Sequence, residues 1–140
     1  MSAKQWRISD SDQTPESAVI HERLKAHIEK ESGPPNRRPL VISVEDERGK
    51  LVAGLRGFTH WQWLYVSHVW VEESQRSSGL GTELLARAEN EAKSRNCVGI
   101  YVDTFSEKTR DYYLARGYQE FGALADFPPG QKRSFLYRRL

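Results

Sequence analysis

Leu84, Leu85, Ala88 and Ala92 recur at helical spacing, with Glu83, Arg87, Glu91 and Arg95 on the other positions. That pattern predicts a helix with one apolar and one charged face, opening at Gly79-Leu80-Gly81. A second spaced set, Ile20, Leu24 and Ile28, gives one apolar stripe on an earlier helix. Thr14-Pro15-Glu16 opens that helix, with the proline ring at its first position and an acid in its first turn. It runs to about residue 31, and Gly33-Pro34-Pro35-Asn36 stops it. Between these helices the pattern changes to β-branched and aromatic runs over residues 40–45, 50–59 and 63–71. A turn over 46–49 and a bend at His60-Trp61-Gln62 separate them, and connections this short make the three strands antiparallel.

Residues 5–9 add a short strand before the first helix. Residues 98–102 form a strand reached from 63–71 through a helix, so those two are expected to be parallel. A last helix spans 106–116 with Gly117 as its C-terminal cap. Residues 118–122 and 134–138 close the sheet, joined through Asp126-Phe127-Pro128-Pro129-Gly130. The order is β-α-β-β-β-α-β-α-β-β, a mixed sheet with helices of the α/β (α+β) class.

A chain of 140 residues fits one domain, residues 1–140. Lys plus Arg is 21 and Asp plus Glu is 19, a formal charge of +2, which supplies no general field for nucleic acid or an anionic membrane. No apolar run approaches the ~18 residues of a membrane span. The first residues carry no apolar signal core, so cytoplasm is the default compartment. Cys97 is the only cysteine, which leaves no internal disulfide and no cysteine-based zinc site, and no metal is expected.

The start of the central helix carries the clearest chemistry. A helix N-terminus has unpaired N–H groups and about half a positive charge, so it attracts anions. Gly79 and Gly81 remove the Cβ atoms that would keep a phosphate from the backbone, Ser77, Ser78 and Thr82 add hydroxyls, and Arg76 adds charge at the rim. The phosphate is not that of a P-loop nucleotide, because Thr82-Glu83 follows Gly81 where Lys-Ser/Thr is required. A dinucleotide is disfavoured as well: Leu84 holds the place of the third glycine, and there is one parallel β-α-β unit.

Arg76-Ser77-Ser78-Gly79-Leu80-Gly81 resembles the Arg/Gln-x-x-Gly-x-Gly/Ala motif of the GCN5-related N-acetyltransferase (GNAT) superfamily. Val69-Trp70-Val71-Glu72 resembles the family's strand before that motif, and Tyr112-Tyr113-Leu114-Ala115-Arg116-Gly117-Tyr118 its Tyr-x-x-x-Gly-Phe segment. The resemblance implies a GNAT-like sheet splayed between its fourth and fifth strands, with acetyl-CoA in the gap as co-substrate. It implies that the backbone of Val69 and Val71 pairs with the pantetheine arm and polarises the thioester carbonyl. It further implies that Arg76, Ser77, Ser78, Gly79, Gly81 and Thr82 hold the pyrophosphate and that Tyr113 is the general acid. Two positions depart from the pattern: Ser77 stands where a glycine is frequent, which a serine tolerates if its φ is negative, and Ser106 stands where an Asn often contacts the coenzyme.

The activity so implied is acetyl transfer to a primary amine by direct attack. Single-domain length and the lack of a binding module favour a small-molecule acceptor over a protein amine. The alternative is a non-catalytic acyl-CoA-binding sensor, against which Tyr113 speaks, since a sensor needs no acid. The general base stays open among Tyr65, Ser67, Glu72, Glu73, His60, Asp103 and a chain of waters. Strand parity sets Tyr65 and Ser67 with Val69 and Val71 and turns His68 away. Trp61 and Trp63 are candidates for an aromatic wall of the acceptor pocket, and the closing strands offer an edge for a homodimer.

Overall fold

The computed structural model describes residues 2–140 and separates into two compact units, the first ending at Pro35 and the second comprising Asn36–Leu140. In the first unit, α1 spans Pro15–Ser32. Thr14 caps it, its Oγ1 accepting the Ser17 N–H at 3.1 Å, and the Gly33 N–H closes the other end on the Glu29 carbonyl at 2.8 Å. The strand expected over residues 5–9 does not form: the segment has no ladder partner, and its two large apolar side chains, Trp6 and Ile8, are almost fully exposed. Two apolar residues among Lys4, Arg7 and Asp10 bury no surface to offset the entropy of ordering them.

The second unit is one six-stranded mixed sheet with two helices. Its elements are β1 (Arg38–Glu45), β2 (Leu51–His60), β3 (Trp63–Val71), α2 (Leu80–Ser94), β4 (Gly99–Thr104), α3 (Glu107–Ala115), β5 (Gln119–Ala125) and β6 (Lys132–Arg139). The spatial order is β1-β2-β3-β4-β6-β5; β3 and β4 are parallel and every other neighbouring pair is antiparallel. Apart from the missing first strand, this is the α/β mixed sheet that the sequence pattern predicts. The β1–β2 turn is held by the Asp46 carboxylate, which accepts the N–H groups of Arg48 and Lys50 at 2.8 and 3.0 Å. Trp61 and Gln62 make the next turn with φ of 42° and 64°, the mirror-image type whose twist suits a two-residue hairpin.

The core lies between the sheet and the inner faces of α2 and α3. Leu64, Ile100, Val102 and Leu136 from the strands meet Leu84, Leu85, Ala88, Ala92 and Tyr113 from the helices. Gly99 is required here by packing: a Cβ on it would come within 2.4 Å of the Trp63 ring. No helix among the described residues is long and apolar enough to cross a membrane.

Candidate active site

β3 and β4 pair over only four residues, from Trp63↔Gly99 to Val66↔Val102. Beyond Val66, β3 stays with β2, while Asp103 and Thr104 stay with β6. The sheet therefore opens into a V whose floor is the Val66–Val102 pair. This is the splay between the fourth and fifth predicted strands.

A bulge accompanies the opening. The β2–β3 register shifts between Arg56 and Gly57, Ser67 is the extra residue, and its Oγ donates to the Arg56 carbonyl at 3.0 Å. One inserted residue reverses the side-chain alternation. Val69 and Val71 consequently fall opposite Leu55 and Ala53 on the core side, and Tyr65, opposite Phe58, falls on the other face. The expectation that Tyr65 shares a face with Val69 and Val71 is thus corrected. The backbone of β3 does turn toward the gap. Glu72 N–H donates across to the Val52 carbonyl, whereas the Val71 carbonyl accepts outside the β2 ladder, from Arg76 Nε at 3.0 Å. Backbone groups of alternate strand residues point to the same side, so Val69 and Val71 both direct theirs to the open edge.

From Val71 the chain passes through a single 3₁₀ turn, Glu73–Gln75, into the glycine segment. The Ser78 hydroxyl donates to the Gln75 carbonyl, which commits its proton to holding the turn. Ser77 has φ of +65°, not the negative φ expected of a serine, and Gly79 has φ of +90°. Two left-handed residues set two apart bend the chain sharply into α2; at Ser77 the conformation costs roughly 1 kcal/mol that glycine would not incur. The first intrahelical bond of α2 is Glu83 N–H to the Gly79 carbonyl at 3.0 Å. The N–H groups of Leu80, Gly81 and Thr82 precede it and meet no acceptor among the described residues. A Cβ on Gly81 would touch nothing in the chain and its φ is not left-handed, so neither packing nor backbone geometry calls for glycine there. A second helical residue without a Cβ, facing open space, fits a seat for a ligand that must reach the backbone.

α3 brings the tyrosines. Ser106 caps the helix by accepting the Thr109 N–H at 3.2 Å. Tyr113 lies in the core at 7% exposure, its ring 5.1 Å from that of Tyr118. Burial pushes its phenol up to about 12, and the Tyr112 and Asp103 charges act in the same direction. The Tyr112 hydroxyl stands 2.7 Å from Thr82 Oγ1.

On the face away from α2 and α3, β2, β3, β4 and β6 present Phe58, Tyr65, Tyr101 and Tyr137, with Tyr65 stacked on Tyr101 at 4.8 Å. Asp103, the first residue of β4 past the V floor, accepts the Tyr65 hydroxyl at 2.5 Å and pairs with Arg133 at 2.6 Å. Burial and that bond push the Tyr65 phenol up to about 12. His60 Nε2 lies 2.8 Å from the Tyr101 hydroxyl, and burial, then the nearby Arg37 charge, lowers its pKa. Trp61 is in the hairpin turn, and Trp63 covers Gly99.

Sequence pattern missed Glu89. It is buried on the apolar face of α2, where its carboxylate meets Arg138 at 2.5 Å and Arg116 at 3.6 Å. Its spacing from Leu85 and Ala92 was the available signal.

The model of the acetyltransferase (GNAT) family matches residues 4–118. A blasticidin-S acetyltransferase of Streptomyces morookaense is 39% identical over 107 residues, covering 74% of this chain and 79% of that protein. A crystal structure from Agrobacterium tumefaciens superposes with a TM-score of 0.89 at 31% identity, over 98% of this chain and 100% of the other. That of an acetyltransferase from Bacillus cereus gives 0.83 at 27% identity, over 96% and 98%.

Proposed function

The chain belongs to the GNAT family and is an N-acetyltransferase, and on that premise we propose that it moves the acetyl group of acetyl-CoA to a primary amine of a small molecule by direct attack. The observation that carries the donor assignment is the open N-terminus of α2: three N–H groups without acceptors among the described residues, beside a glycine whose missing Cβ serves no contact there. Blasticidin-S, named for the 39%-identical relative, supports a small molecule as acceptor.

In this reading acetyl-CoA supplies a thioester carbonyl activated toward amines. Leu80, Gly81 and Thr82 donate backbone N–H groups to the diphosphate, with Arg76 and the turn from Ser77 to Gly79 around it. Val69 offers its outward backbone groups and Val71 its outward N–H to the amide arm, and one of those N–H groups polarises the carbonyl. Tyr113 keeps its proton throughout the working pH range and gives a hydrogen bond to the departing sulfur. Complete transfer from a phenol near 12 to a thiolate of ordinary pKa about 8.5 would be uphill by roughly 5 kcal/mol, so donation short of transfer is the favoured role. The whole chain, residues 1–140, is proposed to act as one acetyltransferase domain.

Calorimetry with acetyl-CoA, followed by thiol release with a panel of amines, tests this. Binding and turnover on a small amine are expected. Binding without turnover on any amine, peptide amines included, would favour an acyl-CoA sensor, and no binding would remove the donor assignment.

A further inference from the structure

Tyr112 and Thr82 come from different helices and meet hydroxyl to hydroxyl at 2.7 Å. Thr82 is the third residue of α2, so its side chain stands in the same first turn as the unpartnered N–H groups. Tyr112 is held from two sides: the Tyr113 ring lies 5.7 Å away nearly edge-on, and the Arg116 guanidinium stands 5.7 Å from the ring centre. Nothing in the transfer chemistry uses this pair.

We propose that Tyr112 is a positioning residue for the donor, fixing the Thr82 hydroxyl so that its proton points at the diphosphate. The inference rests on α2's N-terminus being the diphosphate seat. Each hydroxyl has one proton and two lone pairs, so the pair has two orientations. In one, Thr82 donates to Tyr112 and shows only lone pairs to an incoming anion. In the other, the more acidic phenol donates, Thr82 accepts, and the threonine proton is left for a phosphate oxygen. The anion seated at the helix's positive end favours the second. The phenol's hydrogen bond polarises the threonine O–H and strengthens its own donation. Tyr112→Phe keeps the ring and its packing but removes the donor that sets this direction.

Binding of acetyl-CoA, measured by calorimetry, should weaken about five- to tenfold in Tyr112→Phe, the worth of one hydrogen bond. kcat at saturating donor should stay within about twofold, since the lost interaction is uniform binding. Thr82→Val should lose at least as much, and Tyr112→Phe/Thr82→Val no more than Thr82→Val alone, because phenol and threonine act as one unit. Acetyl-pantetheine, which lacks the diphosphate, supplies the control: its KM should be the same in wild type and Tyr112→Phe. Equal affinity of wild type and Tyr112→Phe for acetyl-CoA, equal losses with both donors, or additive losses in the double variant each overturn the inference alone. A wild type that binds no acetyl-CoA overturns the diphosphate seat, and this inference with it.

Discussion

Arg76 Nε donates to the Val71 carbonyl at 3.0 Å, joining the start of the glycine turn to the last residue of β3. Val71 is where β3 presents its final backbone group to the gap, and Arg76 is the cation nearest the anion-attracting end of α2 in sequence. One side chain thus satisfies a carbonyl that β4 leaves unpaired and braces the turn that follows. The strand that would receive the amide arm and the helix that would receive the diphosphate are held in one unit, which limits the entropy lost when a ligand spans both.

Gly81 separates stability from binding. With no neighbour for a Cβ and no left-handed φ, Gly81→Ala should raise thermal stability by up to about 1 kcal/mol through helix propensity. The same methyl group would stand over the open N–H groups, so acetyl-CoA affinity should fall on the order of tenfold or more. Parallel denaturation and calorimetry check both signs. Tighter folding with unchanged affinity would show that the diphosphate does not lie against this residue.

Much of this site is legible in the chain because its cause is local. The glycines, the hydroxyls and the apolar face of α2 occupy consecutive or helically spaced positions, and each enforces its own geometry. The sign of φ at Ser77 is not local. A serine in the left-handed region is held there by the Ser78–Gln75 bond and the start of α2, which nothing in its own side chain announces. The Ser67 bulge is equally silent: one extra residue in a run of β-formers changes no composition, yet it moves Tyr65 to the opposite face from Val69. Residues 5–9 show the reverse failure, with Trp6 and Ile8 at strand spacing but no partner to pair with.

Tyr113→Phe tests the acid. The substitution keeps the buried ring and its contact with Tyr118, so fold and acetyl-CoA affinity should hold to within about twofold. kcat should drop on the order of 100-fold, the scale of one hydrogen-bond donor lost from developing negative charge. The phenol's folded pKa of about 12 lies above its ordinary 10, so the neutral form is the stabilised one. Its contribution to stability is complete below pH 10 and is lost as pH rises through about 12. No alkaline limb of the rate profile below pH 10 should therefore trace to this group. Unchanged kcat in the variant would remove Tyr113 from the chemistry.

Glu89 is expected to matter for folding and not for the donor. Its carboxylate is the common partner of Arg138 on β6 and Arg116 after α3, tying both to α2. Glu89→Gln leaves two guanidiniums without their anion. Losing one partner of a fully buried pair costs about 3–5 kcal/mol, but both arginines reach partly into solvent, so about 2 kcal/mol is the better expectation. Urea denaturation measures it. A loss under about 0.5 kcal/mol would class the triad with exposed ion pairs.

His60 carries the pH dependence on the sheet's other face. Burial lowers its pKa below 6.5, and the Arg37 charge lowers it further. The folded state therefore binds fewer protons at this ring than the unfolded chain does. Its contribution to stability is complete above about pH 6.5 and declines as pH falls through the lower folded value. The neutral ring can accept from the Tyr101 hydroxyl or donate to it according to its tautomer, whereas the charged ring can only donate, and burial holds the tyrosine's own pKa up. An NMR titration of the imidazole should give a midpoint below 6.5. Arg37→Gln removes the second cause and leaves the first, so the midpoint should rise without reaching 6.5. A wild-type midpoint at or above 6.5 would mean that water reaches the ring freely, and a midpoint unmoved by Arg37→Gln that the guanidinium, 3.8 Å over Phe58, does not act on it.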